Sequence, residues 1–305
     1  MKSAPKNIAA SVRQRLAQLA ARRGYDFQQV LTSYAIERLL FRLSVSSHAR
    51  DFILKGATLF TLWEGFPHRQ TRDLDLLGFG TNNIERLVIV FREICAAPVT
   101  PDGLSYSDIA GEPIRGIQEY GGIRLRLSAR LEKAMVPFGV DIGFGDEVTP
   151  PPTEMDFPTL LDFPKPNLRV YPVETVVAEK VEAMVRLGMA NSRMKDFFDL
   201  WHLSRTTAFD GEKLCAALRA TFTRRSSVLP CGLPLGLTQE FAMNPAKQTQ
   251  WRAFCRKDTR LKTDLPLSNV VLVLAAFLGR PIGAAAEGRP FRAGWRPEGS
   301  WSPAS

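Results

Sequence analysis

Two aspartates, Asp73 and Asp75, stand one residue apart in the run RDLDLLGFG. In an extended strand, side chains at i and i+2 share a face, so both carboxylates project together while Leu74 and Leu76 enter the core. Two carboxylates that close repel, and each raises the other's pKa unless a cation lies between them. Magnesium answers that need, because it prefers hard oxygen ligands and lets substrate phosphates complete its octahedron. Asp-x-Asp alone is a weak signal, and its neighbourhood adds to it. Lys55-Gly56-Ala57-Thr58 precedes a helical pattern, where small residues let backbone N–H groups approach a phosphate. A plain strand-to-helix turn accounts for Gly56 equally well. Arg69 and Arg72 lie just upstream of the acids and could complement phosphate charge, or form a surface ion pair with Glu64.

A third acid, Asp141, sits between Val140 and Ile142, an awkward place for an unpaired charge on a buried strand. If that strand lies beside the one bearing Asp73 and Asp75, three carboxylates converge, as two-metal transfer chemistry requires. Asp146, after Gly145, reads as a loop or capping residue. Farther on, Lys180 lies among Val176, Val177, Val181 and Met184. Its stem is then packed and its ammonium aimed at one place, or it is a solvated lysine paired with a neighbouring glutamate. Asp196 and Asp199 flank Phe197-Phe198. Helical spacing would let Asp199 pair with Lys195, worth roughly a few tenths of a kcal/mol.

These residues need elements to hold them. Residues 8–43 carry helical apolar stripes broken at Gly24, and Phe52 to Leu54 form a short apolar run. A helix follows over Thr58 to Trp63, closed by Gly65 and Pro67, then a buried strand ending at Gly78 and a helix over Ile84 to Cys95. Gly121-Gly122 between residues 114–120 and 123–131 reads as a hairpin turn. Residues 138–144 and 168–171 are further strands, separated by a proline-rich connector. From Val173 onward the pattern is helical, over 173–187, 194–204, 211–222, 247–256 and 269–279. The class expected is α+β. Residues 1–172 form a core with N-terminal helices, 173–280 a helical C-terminal domain completing the cleft, and 281–305 an irregular tail with Trp295 and Trp301 as anchors.

Lys and Arg outnumber Asp and Glu by 40 to 31, for a net charge of +9. That excess suits a polyanionic partner, because neutralising phosphates releases condensed counterions, although a solvated basic face gives the same count. Cys95, Cys215, Cys231 and Cys255 fall in no metal-ligand spacing, nor do His48, His68 and His202. The N-terminal segment lacks the apolar stretch of a signal peptide, and the apolar run Val270 to Leu278 is too short to cross a bilayer. The expectation is a cytoplasmic chain with no membrane partner.

Taken in order, the blocks are Lys55-Gly56-Ala57, Arg69-Gln-Thr71-Arg-Asp73-Leu-Asp75-Leu, Val140-Asp141-Ile142-Gly-Phe-Gly145-Asp146, Ala178-Glu179-Lys180 and Arg193-Met-Lys195-Asp196-Phe-Phe-Asp199-Leu. They resemble the AbiEii/AbiGii family of polymerase-β-like nucleotidyltransferase toxins, over residues 50–205 and in the family's order. The resemblance implies a polymerase-β-like core with a mixed sheet, followed by a largely helical C-terminal domain. It implies transfer of a nucleoside monophosphate from an NTP to an acceptor hydroxyl, with release of pyrophosphate. Asp73, Asp75 and Asp141 would hold Mg²⁺, two ions in all, and Lys180 would neutralise triphosphate charge. Asp196 looks like a family site residue, and Lys55, Gly56, Ala57, Thr58 and Arg69 would meet the nucleotide. Ala57 departs from the glycine or serine usual there, which removes a hydroxyl but keeps the backbone N–H. The family further implies a cognate antitoxin and an RNA acceptor, the tRNA 3′ end. Arg124, Arg126, Arg130, Arg252, Arg256, Lys257, Arg260 and Lys262 suit RNA. Nucleotidylation of a protein side chain, or a non-catalytic nucleotide- or RNA-binding module, are the alternatives.

Overall fold

A computed structural model describes residues 7–65, 71, 73–114, 121–257, 265–297 and 299–303. The chain forms two compact units, Met1–Gly145 with Thr153–Tyr171, and Asp146–Pro152 with Pro172–Ser305.

The first unit runs α1 (Ile8–Arg23), α2 (Phe27–Val45), β1 (Phe52–Lys55), α3 (Thr58–Glu64), β2 (Asp73–Gly78), α4 (Ile84–Cys95), β3 (Leu104–Ile114), β4 (Gly122–Leu131), β5 (Ala134–Phe144), β6 (Thr153–Asp156) and β7 (Asn167–Val170). Asn7 and Asp26 cap α1 and α2 through side-chain bonds to the backbone N–H groups of Ala10 and Gln29, satisfying donors that a helix start leaves unpaired. The strands form one mixed sheet in the order β3-β4-β5-β2-β1-β7-β6. The β2–β5 and β1–β7 pairs are parallel, and the other pairs are antiparallel. Strand β4 shows why the sheet has two unlike faces. Ile123, Leu125, Leu127, Ala129 and Leu131 are buried, while Arg124, Arg126 and Arg130 alternate with them on the other side. Val136, Phe138, Val140 and Ile142 of β5, and Leu74 and Leu76 of β2, join the buried face.

Two strands depart from the sequence expectation. The strand that pairs with β4 is β3, at 104–114, where no strand was expected, and of the arm expected at 114–120 all but Ile114 lies outside the described residues. Strand β6 falls in the proline-rich connector and is exposed throughout. Both are edge strands, and an edge strand carries little of the apolar alternation that marks a central one.

The second unit comprises α5 (Val173–Leu187), α6 (Met194–Thr206), β8 (Phe209–Asp210), α7 (Gly211–Arg224), α8 (Gln239–Met243), α9 (Pro245–Lys257), α10 (Leu267–Ala286), β9 (Ala293–Trp295) and β10 (Trp301–Pro303). It also takes in residues 146–152, where Thr175 donates to the Thr149 carbonyl and accepts from its N–H. Helix α10 is 20 residues long and, by length and composition, apolar enough to cross a membrane, which corrects the expectation that its apolar run is too short. Gly279-Arg280-Pro281 looks like a stop, yet Pro281 is accommodated inside the helix. Here α10 packs against α6, α7 and α8, with Leu274, Phe277, Leu278 and Ile282 fully buried.

The tail is likewise not irregular. Strands β8, β9 and β10 form a second small sheet, and two indole N–H groups lock it down. Trp295 donates to the Ser204 carbonyl and Trp301 to that of Phe277, each at 2.7 Å. Strands of two or three residues are too short for any periodicity to register in the sequence.

Candidate active site

The register of the large sheet lines up charged residues from five strands. Lys55 lies opposite Asp75, Asp75 opposite Asp141, Asp141 opposite Arg124, and Arg124 opposite Glu112. Asp73, two residues before Asp75 on the same strand, lies opposite Gly139. The acids therefore share the face turned away from the apolar side of β4 and β5. Two glycines make room for them. A Cβ on Gly56 would collide with the Asp75 carboxylate, and one on Gly139 would sit 2.7 Å from Asp73 Oδ1. Gly56 also has φ +72°, a conformation in which other residues are strained.

Asp141 does not stand as an open carboxylate beside Asp75. Arg124 donates from Nε to its Oδ1 and from Nη2 to its Oδ2, both at 2.6 Å. The same Nη2 lies 3.7 Å from Asp73 Oδ2. The hydrogen bonds to Asp141 push the guanidinium pKa upward, against the opposing effect of burial. Arg126 is held by Glu112, its Nε and Nη2 both donating to Oε1, at 3.0 and 2.6 Å. Two of the arginines expected to face RNA are thus paired with acids. Alternation along β4 puts them on that face, but the register that brings Arg124 to Asp141 has no local signal.

Asp73 and Asp75 fit a magnesium ion by their chemistry, being two hard-oxygen donors on one strand face with space cleared beside each. Among the described residues, no group of three or more His, Cys, Asp or Glu side chains is arranged to hold a metal ion. Two carboxylates leave several coordination positions, which substrate phosphates and water fill in sites of this kind.

The turn before α3 is less open than its sequence suggests. Thr58 is 4% exposed, and its hydroxyl has no hydrogen-bond partner among the described residues, so this turn would have to meet a phosphate through its backbone. The Lys55 ammonium lies 5.0 Å from the centre of the Tyr171 ring. Arg69, Arg72 and His68 lie outside the described residues, as do Arg260 and Lys262.

The second unit has its own charged centre. Lys180 on α5 donates to Asp196 Oδ1 at 2.7 Å and to Asp199 Oδ2 at 2.8 Å, both on α6. Both aspartates are buried. Asp199 therefore pairs across helices with Lys180, not along its own helix with Lys195. Its full burial leaves an exposed i,i−4 partner out of reach. Arg193 Nε lies 2.7 Å from Asp196 Oδ2, and among the described residues no hydrogen bond is aligned to that oxygen. Burial pushes the Asp196 carboxyl up, but the charges of Lys180 and Arg193 outweigh it and leave the pKa below the ordinary value. Asp146 is tied down too. Arg225 reaches it at 3.0 Å, Glu182 at 3.0 Å and Glu179 at 3.3 Å. Sequence reasoning missed Arg225, which follows α7 in a stretch with no motif.

The sequence matches the family described as nucleotidyl transferase AbiEii toxin, type IV TA system, over residues 38–276. The chain belongs to the AbiEii nucleotidyltransferase toxin family. No curated protein matches it. Among solved structures it is similar to a candidate nucleotidyltransferase from H. pylori, at 16% identity and a TM-score of 0.51, covering 86% of this chain and 97% of that one. It is also similar to JHP933 from Helicobacter pylori, at 15% identity and a TM-score of 0.50, covering 86% and 94%. At those identities the likeness speaks for the fold: a mixed α/β architecture of the nucleotidyltransferase kind. Membership in a toxin–antitoxin family implies a cognate antitoxin.

Proposed function

We propose that the chain transfers a nucleoside monophosphate from an NTP to an RNA acceptor, the tRNA 3′ end, in the cytoplasm. The observation that carries this reading is the pair Asp73 and Asp75, on one strand face and each given room by a glycine. Magnesium held by these two carboxylates would supply charge neutralisation to the triphosphate and polarise its phosphorus. The backbone of Gly56, Ala57 and Thr58, with Lys55 and Arg69, would orient the phosphates. In the helical unit, Lys180 would meet the negative charge that grows in the transition state. Asp196 and Asp199 would position it, since both accept from its ammonium. The acceptor assignment rests on the net charge of +9.

The test is incubation of the purified chain with each α-labelled NTP, Mg²⁺, and either total RNA or extract protein. Label in tRNA supports the proposal. Label in protein would move the acceptor to a side chain, and label in neither would leave a binding module.

A further inference from the structure

Resting on the reading of Asp73 and Asp75 as cation ligands, we infer that Arg124 is an internal counter-cation. It occupies Asp141 until a divalent ion displaces it, so the third carboxylate becomes a ligand only when the guanidinium lets go. Asp75 and Asp141 are register partners on adjacent strands, where side chains stand about 5 Å apart. Without a cation that closeness is repulsive. The Arg124 guanidinium relieves it, gripping both oxygens of Asp141 and lying 3.7 Å from Asp73.

What distinguishes this pair from a fixed structural bridge is its exposure. Arg42 also grips an aspartate through two nitrogens, at 2.6 and 3.0 Å from Asp102, but those side chains are 6% and 1% exposed. Breaking such a pair strands a buried charge, which water cannot take up. Arg124 is 38% exposed and Asp141 21%, so water can take up either partner and a divalent ion can compete. Gly139 keeps the path clear, because a Cβ there would lie 2.7 Å from Asp73 Oδ1 and 3.8 Å from Arg124 Nε. Arg124 is then a positioning residue that sets how readily the acid set loads.

The test is Mn²⁺ titration of the full chain without nucleotide, read as free Mn²⁺ by paramagnetic resonance and as the Mn²⁺-induced rise in Tm. Arg124→Gln should bind Mn²⁺ about three- to tenfold more tightly than the wild type, the margin of one part-exposed charged bond, and show a larger rise in Tm. Arg124→Lys, which keeps the charge and loses the two-pronged grip, should fall between them. Arg126→Gln, freed from Glu112, should match the wild type. Wild-type binding with Arg124→Gln equal or weaker would overturn the inference and leave the metal reading standing. Should Arg124→Gln not fold, Arg124→Lys decides by the same direction. If the wild type and both Arg124 variants bind no better than Asp75→Asn, the metal reading itself has failed and the inference falls with it.

Discussion

Asp75 on β2 and Asp141 on β5 are register partners in a parallel pair, with Lys55 beyond the first and Arg124 beyond the second. Like charges meet at the centre of the row and opposite charges close it at both sides. The strand order β4-β5-β2-β1 therefore fixes the electrostatics of the face before any ligand arrives.

Asp75 faces the like charge of Asp141, and Asp73 stands two residues before it on the same strand face. Asp73→Ala and Asp75→Ala should each abolish nucleotide transfer while leaving Tm unchanged or slightly raised. Transfer assays and melting curves on the same preparations check this, and an active Asp73→Ala protein would end the metal-site reading.

Gly56 should tolerate nothing larger. Gly56→Ala places a Cβ on the Asp75 carboxylate in a backbone conformation with φ +72°. The conformational strain alone should cost about 1 kcal/mol, and displacement of the carboxylate should cut transfer by about tenfold or more. Gly24→Ala is the comparison, since Gly24 shares a positive φ of 65° but a Cβ there would meet no packed neighbour within 4 Å among the described residues. It should lose stability alone.

Lys180→Met should both slow transfer and destabilise the fold. Loss of one preorganised charge should lower the rate by about a hundredfold or more. Loss of the ammonium from which both buried aspartates accept should lower stability by about 3–5 kcal/mol. Adding Asp199→Asn should recover part of the stability and none of the rate, whereas Lys195→Met should be mild in both. Denaturant midpoints and single-turnover rates for these variants separate the effects.

Glu37 makes stability depend on pH in a direction unusual for a carboxylate. Burial, the largest influence, pushes its carboxyl from 4.5 up to about 7, against the Leu160 N–H bond and the Arg38 charge. The folded state therefore binds the proton more tightly than the unfolded one. Stability is fully present below the unfolded value and is lost as pH rises towards the folded value. Glu37→Gln should accordingly be more stable than the wild type by roughly 2–3 kcal/mol at about pH 8, and equal to it near pH 4. Parallel pH profiles for the two proteins would remove the argument.

If RNA is the acceptor, affinity for it should fall steeply between about 50 and 200 mM salt. Expression should slow bacterial growth, and Asp75→Ala should not. Affinity indifferent to salt would take away the inference from net charge.

Central elements were legible in the sequence because their apolar periodicity is strong. The α4 helix follows its stripe from Ile84 to Cys95, and β2 and β5 follow Leu74-Leu76 and Val140-Ile142. Edge strands β3 and β6 and the short strands of the tail were not, since half-solvated or two-residue strands carry no period. Asp73 and Asp75 could be paired from spacing alone, because i and i+2 share a face in any strand. What spacing could not supply was partnership across the sheet or between helices. Arg124 with Asp141 depends on strand register, and Lys180 with Asp199 on how α5 meets α6. Each links residues about 17 to 19 positions apart, beyond the reach of any local pattern.

The passage of residues 146–152 into the helical unit, before the strands β6 and β7 of the sheet unit, has a consequence for synthesis. Arg225 is 79 positions downstream of Asp146, so at ribosomal speeds this segment waits on the order of ten seconds for its partner. The sheet unit, complete in sequence at Tyr171, can close while that loop is still unclaimed. A fragment cut at Tyr171 would carry the loop permanently without Thr175 or Arg225. The helical unit expressed alone from Pro172 would lack it altogether. Neither half of this protein can be excised with a single cut, and the nascent chain must settle the sheet around a piece that belongs elsewhere.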